Sequence, residues 1–336
     1  MPADNAAADR FTIRSFRDGD EDAILDLFAR SFHASRSREH FDWKYRHNPF
    51  GRERIKEVFD SDGSLVGHYA AYPVPFRDWR GDFLANQIGD TMTERAIRHV
   101  GRGPTSVLGR AALQFYTDFC EEKVAFNYGF NVANIQKFSL RFLRSDRVEP
   151  VPYRVRDLRS EPLAAISRME RLTRGYRLEL VSAIGSEWDL FFDRVWRDYG
   201  FLARRDSTWM RWRYLERPDV QYIVVLIRKW GELAGWSVFR VRDRRLTWGD
   251  ALFDRHWPDA VGVMLRHVVP QFPVDVVEGW FPERPHWFSA ALDELKFVAV
   301  PEPQDLSLMC VPFERTDAVE DMRRSLYYTA GDGDLF

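Results

Sequence analysis

Along residues 20–32 apolar side chains recur at helical spacing. Ile24, Leu25, Leu27, Phe28 and Phe32 share one side, and acidic residues open the first turn, where the helix dipole favours them. A strand-like stretch, 11–16, precedes this helix. Residues 55–60 and 65–74 read as strands joined through Asp62-Gly63, because Asp-Gly between apolar runs is a hairpin signal. A second turn, Trp79-Arg80-Gly81-Asp82, leads into a long strand over 83–94. A glycine-containing loop, 98–104, follows, and Leu108, Ala111, Ala112, Phe115 and Phe119 then mark a helix over 105–122. In the strand 124–130, Val124, Phe126, Tyr128 and Phe130 alternate with Ala125, Asn127 and Gly129. A helix over 134–144 closes the series. Antiparallel-type strands framed by helices predict an α+β layout, with one glycine loop joining a long strand to a helix.

The pattern then repeats. Trp43, Tyr45 and Pro49 recur as Trp212, Tyr214 and Pro218, 169 residues on, and Gly63, Leu65 and Gly67 recur as Gly231, Leu233 and Gly235, 168 residues on. Tryptophan is rare, so two blocks at nearly one offset mark a repeat rather than coincidence. A strand over 176–181 and a helix over 187–199 match 11–16 and 20–32. The expected organisation is a first domain over 1–150, a linker over 151–175, a second domain over 176–313 and a tail over 314–336. Pro150, Pro152 and a charged run interrupt regular structure at the seam, with a connecting helix expected over 160–172. Only Gly331–Phe336 is of low complexity. Ten of the 12 tryptophans lie from Trp188 onward, so the halves have diverged.

Composition narrows the classes. Hydrophobic residues at 45% and charged residues at 30% of 336 describe a globular chain with enough length for two cores. Lys+Arg 49 against Asp+Glu 51 gives a net charge of −2, without the basic excess of a duplex nucleic-acid binder. Cys120 and Cys310 are the two cysteines, which excludes a disulfide framework and a cysteine-based zinc site. No His/carboxylate set has metal-ligand spacing, so no metal is expected. No run approaches the ~18 apolar residues of a membrane helix. Residues 1–10 are small and polar, without the apolar core of a secretory signal. The expectation is a cytoplasmic protein with neither a membrane span nor a nucleic-acid partner.

The glycine loop is the chemical lead. A helix N-terminus offers unpaired N–H groups and a positive dipole end, which suit phosphate oxygens. Gly101 and Gly103 permit positive φ, Arg98, His99 and Arg102 add charge, and Thr105 and Ser106 add hydroxyls. The alternative is an ordinary turn before an ordinary helix. No Gly-Lys-Ser/Thr follows, so this is not a P-loop, and the third glycine of a dinucleotide fingerprint is missing.

Arg98-His-Val-Gly101-Arg-Gly103 resembles motif A of the GCN5-related N-acetyltransferases (GNAT), written Arg/Gln-x-x-Gly-x-Gly/Ala. The element order of the first half also resembles that superfamily. The Trp43-Lys-Tyr45 block and the closing 326–332 are similar to its tandem-domain members. The resemblance implies two tandem GNAT-like domains, each a central mixed, mostly antiparallel sheet with a splayed parallel strand pair, flanked by helices. It implies transfer of acetyl from acetyl-CoA to a small-molecule amine or sugar-amine by a monomer or homodimer. Gly101, Gly103, Thr105 and Ser106, with Arg98 and Arg102, would cradle the pyrophosphate. Backbone at Met92, Thr93 and Glu94 would pair with pantetheine, and Asn134 would add a contact. Glu94 and Asp90 are the candidate bases, the alternative being strand-edge carboxylates in salt bridges. The family's proton-donating tyrosine corresponds to Phe138, which leaves Tyr128 as a substitute, with core packing as the other reading. Residues 254–260 carry no glycine pair, so one donor per chain is expected. His40, His47 and His68 read as structural, and the Trp-x-Tyr blocks as packing. Two other readings stand beside this one: a Fem-type aminoacyl transferase and a non-catalytic binding module.

Overall fold

A computed structural model of the chain describes residues 10–336, so the polar start read over 1–9 lies outside the described residues. Strand β1 (Thr12–Ser15) leads to helix α1 (Glu21–Phe32), with Glu21 and Asp22 at its positive end. Helix α2 (Arg38–Phe41) is capped by Ser37, whose side chain accepts from the His40 amide, and runs on into a π-helical turn, Asp42–Arg46. Strands β2 (Arg54–Phe59), β3 (Leu65–Asp78) and β4 (Gly81–Thr93) follow, then α3 (Val107–Phe119), β5 (Phe126–Asn131), α4 (Ala133–Phe142), β6 (Asp146–Pro150) and β7 (Tyr153–Asp157). The second half holds α5 (Arg168–Thr173), β8 (Tyr176–Leu180), α6 (Glu187–Tyr199), β9 (Leu202–Ala203) and α7 (Ser207–Met210), which enters a second π turn, Arg211–Leu215. It continues as β10 (Ile223–Lys229), β11 (Glu232–Arg242), β12 (Arg245–Phe253), α8 (Asp259–Val268), β13 (Val276–Trp280) and α9 (His286–Glu294). Strands β14 (Val298–Val300) and β15 (Ser307–Pro312) and helix α10 (Ala318–Ser325) complete the chain.

These elements form two compact units. The first combines the described part of Met1–Pro75 with Phe83–Glu149 and Leu306–Glu320; the second combines Phe76–Asp82, Pro150–Asp305 and Asp321–Phe336. The first sheet has the order β1-β2-β3-β4-β5-β15-β6, with β4 and β5 parallel. Val58, Tyr69 and Ala71 meet Val107, Ala111 and Phe115 of α3 in its core. The second sheet runs β14-β7-β13-β12-β11-β10-β8, with β12 and β13 parallel and the other neighbouring pairs antiparallel. Trp188, Trp209, Trp212, Trp236 and Trp248 are fully buried in the second unit, which accounts for the tryptophan bias.

The α+β expectation holds; the boundaries differ. Residues 151–175 are no bare linker, because β7 pairs with β13 in the second sheet, and the connecting helix shrinks to six-residue α5. Strand β15, placed by sequence in the second domain, pairs with β5 of the first sheet. The tail is core as well. Tyr327, Tyr328, Ala330 and Phe336 are buried, and the Arg213 guanidinium donates to the carbonyls of Gly331 (3.1 Å), Gly333 (2.8 Å) and Phe336 (3.1 Å). The low-complexity Gly331–Phe336 therefore has fixed partners.

The repeat is physical. Ser37 and Asp206 cap equivalent short helices, and each helix runs into a π turn that carries a Trp-x-Tyr block. Tyr45 donates to Asp90 (2.8 Å) and Tyr214 to Asp250 (2.6 Å), each carboxylate lying on the long strand before its unit's parallel partner. Arg36 pairs with Asp90 as Arg205 pairs with Asp250 (2.9 Å).

Candidate active site

Strands β4 and β5 join over a short stretch. Ala125 N–H donates to Leu84 O (3.0 Å), and the parallel register pairs Asn86 with Asn127 and Gln87 with Tyr128. Beyond that point β4 continues to Thr93 and β5 to Asn131. Asp90 sits in the left-handed region (φ 51), a local departure from the extended backbone of β4. On the side facing α3, Asn86 donates to Asn127 (2.9 Å) and Arg54 to Asn86 (2.5 Å). A small cavity of about 30 Å³ lies here, bordered by Ile88, Tyr116, Tyr128, Gly129 and Ser139. Burial pushes the nearby Cys120 thiol up to about 12, so it stays protonated.

The loop closes on itself. The Arg102 amide donates to Thr105 Oγ1 (3.2 Å), and that hydroxyl donates back to Arg102 O (3.0 Å). Ser106 Oγ donates to Gly103 O (2.6 Å) and accepts from the Gly109 amide (3.1 Å), which makes it the cap of α3. Both hydroxyls thus hold the loop rather than standing free for a ligand. Gly101 (φ 72) and Gly103 (φ 54) are left-handed as expected. A Cβ on Gly103 would lie 2.6 Å from the Phe142 ring, so this glycine makes room for a side chain of its own unit. Arg98 donates to Thr93 O (3.0 Å) and is exposed, as are His99, Arg102 and Asn134.

The proposed bases are held in different places. Asp90 accepts from Lys44 (2.8 Å), Tyr45 (2.8 Å) and Arg36. Burial alone would raise its pKa, yet Arg36 and Lys44 outweigh that and hold it well below the usual carboxylate range. A carboxylate with three donors and such a low pKa is a poor base. Glu94 lies just past β4, pairs with Arg30 (2.9 Å) and accepts from the Arg95 amide (3.0 Å). The Arg30 hydrogen bond lowers its pKa. The two carboxylates are four residue steps apart along the chain, about 13 Å, so they cannot serve one reacting atom. The Glu94 amide already donates to Val66 O (2.8 Å), so it is not the pantetheine partner expected there. Met92 is buried and Thr93 half-buried. Tyr128 is 4% exposed, packs beside Phe126 and Phe130, and borders the small cavity. Among the described residues no group of three or more His, Cys, Asp or Glu could hold a metal ion, and no helix is long and apolar enough to cross a membrane.

In the second unit the turn after β12 is built otherwise. Asp254 accepts from the His256 amide (2.9 Å), Pro258 stands at the start of α8 without a side-chain cap, and Asp259 places a carboxylate in the first turn.

Residues 12–140 match the family model described as the acetyltransferase (GNAT) domain. The match lies within the first half of the chain. Solved structures resemble nearly the whole chain. A probable N-acyltransferase of unknown function from Enterococcus faecalis V583 matches with a TM-score of 0.66 at 13% identity, over 91% of this chain and 73% of its own. A GCN5-related N-acetyltransferase from Anabaena variabilis ATCC 29413 matches at 0.63 and 13% identity, over 90% and 72%. One from Kribbella flavida matches at 0.60 and 13% identity, over 89% and 70%. At such identity these likenesses speak to the fold alone, while the family match supports acyl transfer as the general chemistry. No curated protein matches the chain.

Several polar residues of this region are not singled out by the sequence alone. Lys44 and Tyr45 sit inside a block read as packing, and His68 was set aside as a lone histidine. The signal that could have found the first two was the repeat itself. Arg36, Lys44 and Tyr45 recur as Arg205, Arg213 and Tyr214 at the same offset as the tryptophans.

Proposed function

We propose that the chain is an acyl-CoA-dependent N-acetyltransferase, moving acetyl from acetyl-CoA to a small-molecule amine or sugar-amine, with one donor per chain held by the first unit. The observation that carries this reading is the short parallel join of β4 to β5, beyond which the strands run on toward the glycine loop and the capped start of α3.

The residues fit the donor. Ser106 takes the Gly109 amide with its side chain and the Arg110 amide with its carbonyl (2.9 Å). Helical geometry then leaves the amides of Val107 and Leu108, with the dipole, for a phosphate oxygen. Arg98, His99 and Arg102 add positive charge around that point. The backbone of Met92 and Thr93 would run beside the pantetheine. In the second unit the Asp259 carboxylate at the start of α8 would repel phosphate.

In the reaction the amine nitrogen bonds to the acetyl carbon and the C–S bond breaks; nitrogen loses a proton and sulfur gains one. Asp90 fixes the Arg36–Lys44–Tyr45 frame on the long strand and does not take the proton. Tyr128, at the join, is the proposed donor to sulfur. The two buried free thiols, Cys120 and Cys310, are in keeping with a cytoplasmic setting.

The test is Val107→Pro. Proline suits the first position of a helix, and Ser106 (ψ 159) has the extended backbone that a residue before proline needs. The substitution removes one amide donor while keeping the helix. Acetyl-CoA affinity should fall about tenfold, the loss of one hydrogen bond to a charged group, with circular dichroism retained. Unchanged affinity would contradict the assignment.

A further inference from the structure

Glu57 on β2 and His68 on β3 stand directly opposite in antiparallel register, so their side chains leave one face of the sheet as close neighbours. Glu57 is 0% and His68 1% exposed. Among the described residues, Glu57 Oε1 and both ring nitrogens of His68 have no hydrogen-bond partner. On β4, the buried Gln87 has an unpartnered Oε1 as well, opposite Tyr128 at the β4–β5 join. Buried polar atoms in native proteins are almost always bonded to protein or to ordered water. The unmet groups facing each other across β2 and β3 therefore mark a buried polar pair that calls for bridging water, and Gln87 is a further unmet group on β4.

The pair has two ends. At one, Glu57 faces Asp20 and Glu21 at the start of α1 and Arg14 of β1 (3.3 Å). At the other, His68 faces Asp90 of β4, with Lys44 and Arg36 beyond. Burial, with Asp20 second, pushes the Glu57 carboxyl up to about 9. Burial pushes His68 down to about 4, against the pull of Asp90. Both groups are thus neutral near pH 7, the state in which a proton can be passed on without burying charge.

We propose that Glu57 and His68 form a proton relay, bridged by buried water, which carries the proton of the acceptor amine from β4 at Asp90, past the β4–β5 join, to the surface at Asp20. This rests on the acyl-transfer reading above. As the N–C bond forms and the C–S bond breaks, the proton on nitrogen passes through water to one ring nitrogen of His68. The proton on the other ring nitrogen passes to Glu57 Oε1, and the proton Glu57 already held passes by way of Asp20 to solvent. The sulfur takes its proton from Tyr128, which is reprotonated from water, and the ring returns to its first tautomer through the bridging water. No relay group ends the step with a changed charge.

The test uses the intact chain with His68→Gln and Glu57→Gln, both close in size to the original and neither able to relay. With acetyl-CoA as the probe, calorimetric affinity should stay level. Thiol release from acetyl-CoA should fall ~10²-fold in kcat, the lower end of the span for general acid–base catalysis, and the solvent deuterium isotope effect should change. Level rates and an unaltered isotope effect in both variants would overturn the relay. Ring-nitrogen NMR gives an independent readout. His68 should stay neutral at pH 7 and change its tautomer balance in Glu57→Gln; a ring blind to that substitution overturns the pairing. Should the unsubstituted chain neither bind nor cleave acetyl-CoA, the acyl-transfer reading is what fails, and the NMR result still decides whether the two groups are coupled.

Discussion

Asp90 shows how far a single residue can be read from its neighbours in sequence. Its place on the long strand was legible, but its chemistry is set by Arg36, Lys44 and Tyr45, which the fold brings from the other end of the domain. Gly103 carries a similar lesson. Its positive φ was readable from the motif, whereas its contact with Phe142 depends on how α4 packs. Gly103→Ala should therefore destabilise the fold by about 1–3 kcal/mol, through left-handed strain and the close ring, measured as a lower urea midpoint. An unchanged midpoint would contradict that packing. Glu57 supplies a pH test. Its folded-state pKa of about 9 stands above the ordinary 4.5. Between those values the native state keeps a proton that the unfolded chain releases, so stability falls as pH rises through that window. Asp20, held near 2 chiefly by its hydrogen bond to Arg14 against the opposing effect of burial, contributes in the other direction, and that contribution is lost only as pH drops below its ordinary 3.8. Glu57→Gln should flatten the decline across the window, read from urea midpoints at stepped pH; an equal decline in the variant would count against a buried protonated Glu57.

Elements with strong periodicity were legible almost to the residue. The helix expected over 187–199 is Glu187–Tyr199, and the one expected over 20–32 is Glu21–Phe32. The helix after the glycine loop starts two residues later than expected, because Gly103–Thr105 forms a 3-10 turn and Ser106 becomes the cap. Ser106→Ala should cost ~1 kcal/mol, the usual value of an N-cap, and should leave the Gly109 amide without its acceptor. Thermal unfolding followed at a helix wavelength measures this, and an unshifted transition would show that the cap is idle. Short elements were illegible. Five-residue β6 and β7 carry too few positions to show a period and lie in a stretch dominated by prolines and charge.

The interleaving of the chain could not be read locally, because a strand's sheet is a non-local choice. β15 has the alternation of any half-buried strand, and nothing within Ser307–Pro312 says that it pairs with β5. A polypeptide of residues 1–150 would leave β5 without that neighbour and expose a strand edge. It should aggregate or stay unfolded by heteronuclear NMR, whereas a well-dispersed spectrum would show that β15 is dispensable. The repeat, by contrast, was visible from the sequence, and it frames the central claim: two related units, of which one keeps the means to hold a phosphate. Calorimetric titration of the intact chain with acetyl-CoA tests this most directly. The account predicts one molecule bound per chain, weakened by Val107→Pro in the first unit and unaffected by a substitution such as Asp259→Asn in the second; a stoichiometry of two, or no binding at all, would contradict it.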